Sequence, residues 1–227
     1  MFPIALAIAP GLAIIIFIYW KDKFDREPKR LLGLSFLLGA FSIIPAIILE
    51  VLFSNYAESI PVYLVSNAVK AVLVVGLAEE GSKYFMVRYF LYPRKAFNEP
   101  FDGITYCVMV SMGFATVENV MYVMDGGMSA ALLRMVTAVP AHATFGIVMG
   151  YYLGLKKFDT QNKNNGLKAL GFAALLHGAY DFFLFINYYP GMAIGALLSL
   201  RYGINFSRKA IKLHQQVSPF RKEFIKD

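Results

Sequence analysis

Two adjacent glutamates, Glu79 and Glu80, are followed by Lys83; further along stand Glu118, His142, and His177 with Asp181 four residues later. On a helix, residues four apart share a face, so Glu79 meets Lys83 and His177 meets Asp181. Adjacent Glu79 and Glu80 are turned about 100° from each other. One glutamate can thus be held by the lysine while the other faces an interior. A carboxylate so placed can take a proton from water and return it to a leaving amine. An imidazole within reach can share that task or hydrogen-bond a developing oxyanion.

These groups need elements to hold them, and the chain around them is apolar. Hydrophobic residues make up 58% of the 227 positions and charged residues 16%, against about 25% charged in ordinary soluble domains. Runs long enough to cross a hydrocarbon core of about 30 Å recur: 4–20, 31–53, 62–92, 104–124, 132–155, 167–189 and a shorter one at 192–206. The expected fold is all-α, a polytopic transmembrane bundle of about seven spanning helices whose first helix is retained. Pro45 and Pro140 fall inside expected helices and should kink them. Gly113, Ala115, Gly146 and Gly150 read as helix-packing positions.

Charge orders the connectors. Lys21, Lys23, Arg26, Lys29 and Arg30 lie in the first, Arg94 and Lys95 in the third, Lys156, Lys157 and Lys163 in the fifth. The connectors near 54–61, 125–128 and 190–191 have no lysine or arginine. The bias places the N-terminus outside and the C-terminus in the cytoplasm, which an odd number of crossings satisfies. The net charge of +7 fits attraction to anionic lipid headgroups, not nucleic acid. The single cysteine, Cys107, leaves no disulfide and no cysteine-based zinc site.

A charge inside a bilayer is costly and needs a partner or a task. Lys70 and Arg134, toward the outer ends, can snorkel; His214, in the basic tail, has no assigned role. At about 1.5 Å per residue, Glu80, Glu118, His142, His177 and Asp181 fall in one layer roughly 14 to 24 Å from the cytoplasmic boundary. Four helices then deliver acids and imidazoles to a common depth. Each has a blander reading: an intrahelical ion pair at Glu79–Lys83, a hydrogen bond from Glu118 to Tyr122, His142 on a carbonyl freed by Pro140, a packed His177–Asp181 pair. The shared depth weighs against all of them together.

Five ordered blocks resemble the PrsW family of bacterial intramembrane proteases. They are Gly76-Leu-Ala-Glu79-Glu80-Gly-Ser-Lys83, Phe101-Asp102-Gly103-Ile104, Gly113-Phe-Ala-Thr-Val-Glu118-Asn119, Pro140-Ala-His142-Ala and Leu175-Leu-His177-Gly-Ala-Tyr-Asp181-Phe. The family is distantly related to CAAX prenyl endopeptidases. The resemblance implies hydrolysis within the plasma membrane of a single-pass protein, an anti-sigma factor being the characterised substrate class. It makes Glu79 or Glu80 the water-activating base, His142 its partner, His177 with Asp181 the oxyanion and orientation pair, and Glu118 a residue of the family's own block. Residues 1–206 form the expected protease domain and 207–227 a basic cytoplasmic tail. No HExxH helix is present, so the expected reaction needs no cofactor, with zinc held by His142, His177 and a carboxylate as the alternative. A proton-coupled transporter is the rival class, which the lack of related halves disfavours.

Overall fold

The computed structural model describes residues 2–159, 162–186 and 191–221. Residues 187–190 and 222–227, which hold the end of the expected 167–189 helix, part of the 190–191 connector and part of the 207–227 tail, lie outside the described residues. Eight α-helices are described: α1 Phe2–Lys21, α2 Lys29–Glu58, α3 Tyr63–Val69, α4 Leu77–Met86, α5 Pro100–Val136, α6 Ala138–Phe158, α7 Asn165–Phe185 and α8 Ala193–Gln216. No strand occurs among the described residues. Four helices are long and apolar enough to cross a membrane: Ile4–Lys21, Lys29–Glu58, Pro100–Val136 and Asn165–Phe185.

Helix α5 is the axis of the bundle, with α1, α2 and α6 packed along it. Its Ile104, Val108 and Met112 form a core with Ile18 of α1, Val139, Ala143 and Ile147 of α6, and Ala210 of α8. Glycine lets α5 and α6 touch backbone to backbone: a Cβ on Gly150 would stand 2.3 Å from the Gly103 carbonyl oxygen. The outside of the bundle is the reverse of a soluble surface. Leu37, Phe41, Ile44, Ile48, Val51 and Leu52 line an exposed face of α2, which hydrocarbon solvates and water does not.

The stretch 63–91 is one helical run, as expected, but it is not regular. π-helical turns occupy Lys70–Gly76 and Val87–Leu91, on either side of α4. Such turns shift the register of side chains and are frequent at functional sites. Helix α7 lies against the first of them, where a Cβ on Gly178 would stand 2.6 Å from the Val72 Cα. This close approach sets the depth at which α7 meets α4.

The connector expected near 125–128 is a tight break: two helical segments within Pro100–Val136 meet at Gly127, whose φ of 62° suits a residue without Cβ. The returning segment runs to Val136, and after a break at Thr137 α6 starts at Ala138, so the helix expected over 132–155 is present in two pieces. Two local expectations are corrected, at Pro140 and at the end of α8. Pro140 therefore sits in the first turn of α6, where its missing N–H breaks no helical hydrogen bond and forces no kink. Helix α8 also continues beyond 206 to Gln216, because Ala210, Ile211 and His214 bury one face of it. The His214 ring, which the sequence reading left without a role, stacks on Tyr151 at 4.6 Å.

Candidate active site

Helix α4 begins with its acids in the first turn, Glu79 and Glu80, and carries Lys83 in its last. All three side chains are buried, at 5%, 0% and 1% exposure. The Lys83 ammonium donates to Glu79 Oε2 at 3.0 Å and to Glu80 Oε1 at 2.8 Å. Spacings of four and three residues both reach it on one face of the helix. The expectation that lysine holds one glutamate and frees the other is thus corrected. Lys83 also stands 3.8 Å from the centre of the Phe114 ring on α5, where the ring's π-face complements the cation.

Two other helices bring imidazoles to this ion cluster. His142, on α6, lies with Nδ1 3.4 Å from the Lys83 ammonium and Nε2 2.8 Å from Glu118 Oε2. His177, on α7, lies with Nδ1 3.0 Å from Glu80 Oε1 and 3.9 Å from Glu79 Oε2, and with Nε2 3.2 Å from Asp181 Oδ2. The two rings are 5.2 Å apart and nearly perpendicular, and Phe145 stacks on His177 at 4.6 Å. The Ser111 hydroxyl donates to the His142 carbonyl oxygen at 2.6 Å, fastening the start of α6 to α5. All six residues singled out from the sequence, Glu79, Glu80, Glu118, His142, His177 and Asp181, therefore share one connected polar network.

The network opens into a cavity of about 720 Å³. Glu79, Glu118, His142, His177 and Asp181 line it, whereas Glu80 and Lys83 do not. The adjacent glutamates are separated by the turn of the helix, one toward the cavity and one behind it. Ile43, Ile47, Phe114, Phe145 and Leu184 supply apolar wall, and an apolar wall strengthens every polar contact made inside it.

Two residues of this wall were missed or misread. Glu50, near the end of α2, lines the cavity; its signal was a lone carboxylate ending an otherwise uncharged run. Arg134, read as snorkelling, instead pairs with Glu118 at 2.8 Å and donates through Nε to Asn119 Oδ1 at 2.7 Å. The reversal at Gly127 turns it back on the helix it follows. Asn119 in turn donates to the Ala7 carbonyl oxygen at 2.9 Å, tying α1 to the same network.

The donor set also suits a metal ion. Glu79, Glu80, His142 and His177 each offer one ligand atom, and these lie within 4.8 Å of one another. The other nitrogen of each imidazole rests on a carboxylate, Glu118 or Asp181, which is how metal-ligating histidines are oriented. Two carboxylates and two imidazoles fit zinc. Lys83 is the cation already among them and would have to move aside. The donors come from three helices rather than one, so a metal site here would need no HExxH spacing.

A bundle with apolar outer faces and a buried acid and imidazole chamber defines a class, the polytopic membrane protein with its polar site inside the span. Within that class the chain belongs to the PrsW family of intramembrane proteases. The family model described as PrsW family intramembrane metalloprotease matches residues 27–203. The chain is 36% identical over 199 residues to Protease PrsW of Geobacillus kaustophilus, covering 86% of each chain. It is 35% identical over 183 residues to Protease PrsW of Bacillus subtilis, covering 80% of this chain and 82% of that one. Protease PrsW of Clostridioides difficile is 40% identical over 197 residues, 81% of this chain and 79% of its own. No solved structure matches the chain.

Proposed function

We propose that the chain is an endopeptidase of the bacterial plasma membrane that cuts a membrane-anchored regulatory protein, an anti-sigma factor in keeping with the resemblance, using Glu79 as the base. One observation carries this reading: Glu79, His142 and His177 line one cavity, while Glu80 and Lys83 lie behind it. Glu79 takes a proton from water as the water oxygen attacks the scissile carbonyl carbon. His142, oriented by Glu118, and His177, oriented by Asp181, hydrogen-bond the oxyanion that forms. The carbon–nitrogen bond then breaks as Glu79 returns the proton to the leaving amine. Lys83 and Glu80 act through their neighbours, holding Glu79 and His177 in position.

A topology of seven crossings with the C-terminus in the cytoplasm is part of the reading. It is supported by the gathering of basic connectors at one end of the bundle, where Lys157 donates to the carbonyl oxygens of Tyr92 and Arg94 at 2.6 and 3.4 Å.

A second reading is favoured by the donor set and by the family's description as a metalloprotease. Glu79, Glu80, His142 and His177 would hold a zinc ion, which when bound supplies an acidified water and polarises the carbonyl. Glu118 and Asp181 would then orient the two imidazoles as ligands, and Lys83 would withdraw.

The test is cleavage of a tagged single-pass anti-sigma factor by purified protein in detergent. Glu79→Gln should lower the rate on the order of 100-fold or more, and exhaustive chelation should leave the wild type active. Loss on chelation that zinc restores selects the second reading. Undiminished cleavage by Glu79→Gln rejects both.

A further inference from the structure

A second set of buried acids lies at the opposite end of α5 from the cavity. Asp22 follows α1, Glu27 precedes α2, and Glu99 and Asp102 begin α5; their exposures are 0%, 4%, 1% and 0%. One oxygen from each of Asp22, Glu99 and Asp102 lies within 4.8 Å of the other two. Most of the remaining acceptor capacity has a local partner. Asp102 Oδ2 accepts from the Asn98 and Glu99 amides at 2.6 and 2.8 Å, in the capping box that starts α5. Asp22 Oδ2 accepts from the Glu27 amide at 3.4 Å, Glu27 accepts from the Tyr106 hydroxyl, and Glu99 accepts from the Ser218 hydroxyl.

What is left over points to a ligand. Among the described residues Asp22 Oδ1 is buried with no hydrogen-bond partner, and Asp102 Oδ1 is buried with no amide or hydroxyl donor, its carboxyl facing that of Glu27. Among the described residues, none of the four carboxylates forms an ion pair with a lysine, arginine or histidine. The basic group closest in charge terms, Lys157, spends its ammonium on the Tyr92 and Arg94 carbonyls. Buried carboxylates facing one another without a counter-charge are strongly unfavourable unless protons or a cation lie between them.

We infer that Asp22, Glu99 and Asp102 bind a divalent cation of the magnesium or calcium class. An all-oxygen, carboxylate-rich donor set suits these hard ions, whereas the imidazole-containing set around His142 does not. Bound there, the ion would join the 22–28 connector, the start of α5 and the Ser218 segment after α8 into one unit. The inference is independent of the protease reading, since none of these residues reaches the cavity.

The experiment uses the full chain in detergent after removal of divalent ions. Terbium is titrated in while tyrosine is excited, because the Tyr106 hydroxyl is bonded to Glu27 and so lies beside the site. The expected result is a saturable luminescence that Ca²⁺ or Mg²⁺ displaces, with half-displacement below about 1 mM. Saturating Ca²⁺ or Mg²⁺ should also raise the unfolding temperature by about 5 °C. Both effects should weaken at least tenfold in Asp22→Asn/Asp102→Asn and persist in His142→Ala/His177→Ala. Asparagine keeps an oxygen for the capping amides, so the first double variant should fold, and in chelator it should unfold no lower than the wild type. The wild-type titration decides the matter even where that variant does not fold. Absence of a saturable signal displaced by Ca²⁺ or Mg²⁺ overturns the inference, and so does a signal that depends on the two histidines instead of the two aspartates.

Discussion

Replacing Lys83 by methionine removes the one cation between two buried carboxylates while keeping most of the side chain's volume. In the wild type the ammonium is 2.8 Å from Glu80 and 3.0 Å from Glu79, at 1% exposure. Loss of one partner from a buried ion pair typically costs about 3–5 kcal/mol, because the charge left behind stays desolvated. At about 2–4 °C per kcal/mol for a chain of this size, the unfolding temperature should fall by roughly 6–20 °C. Thermal unfolding in detergent measures the fall, and cleavage of the anchored substrate should be lost with it. The companion variant Lys83→Met/Glu80→Gln leaves one buried carboxylate instead of two and should recover part of the stability. If Lys83→Met unfolds with the wild type, the carboxylates do not depend on the ammonium and the account of the ion cluster fails. If Lys83→Met alone binds zinc more tightly than the wild type, lysine and metal compete for one place, as the second reading requires.

Gly178→Ala puts a Cβ against the Val72 backbone and should cost about 1–3 kcal/mol by overpacking, whereas Gly171→Ala on the same helix meets nothing within 4 Å and should stabilise by up to about 1 kcal/mol. Equal unfolding temperatures for the two variants would refute the close α7 approach. Burial lowers the His214 imidazole to about 4, so folding favours its neutral form. That contribution is fully present above about 6.5, the ordinary histidine value, and is lost as pH falls toward 4. The full range is worth about 3 kcal/mol. The ring is stacked on Tyr151 and its edge faces Pro100 and Gly154, so His214→Phe should flatten the acid side of the stability profile; an unchanged profile would refute the assignment. From the depth of the acid and imidazole layer, the cut should fall toward the extracytoplasmic end of the substrate's span, where a helix frays most readily. Mass spectrometry of the fragments checks this, and a cut in the cytoplasmic third contradicts the depth or the topology.

Composition and the lengths of the apolar runs were enough to read an all-helical membrane bundle, because hydrocarbon requires each segment to satisfy its own backbone hydrogen bonds. The same solvent makes ionisable residues conspicuous, and Glu79, Glu80, Glu118, His142, His177 and Asp181 could be singled out without any fold. Arg134 was visible too, but its partner was not, since the reversal at Gly127 that returns it to Glu118 depends on a single positive φ. Which glutamate faces the cavity was likewise beyond the sequence. Adjacent residues differ only by a rotation of the helix, and the π-helical turns before α4 together with the contact at Gly178 set that rotation. Nothing in the sequence marked Asp22, Glu27 and Glu99, and Asp102 stood out only within the Phe101-Asp102-Gly103-Ile104 block. Only the packing of α1, α2 and α5 at one end of the bundle takes these carboxylates out of water and brings them together.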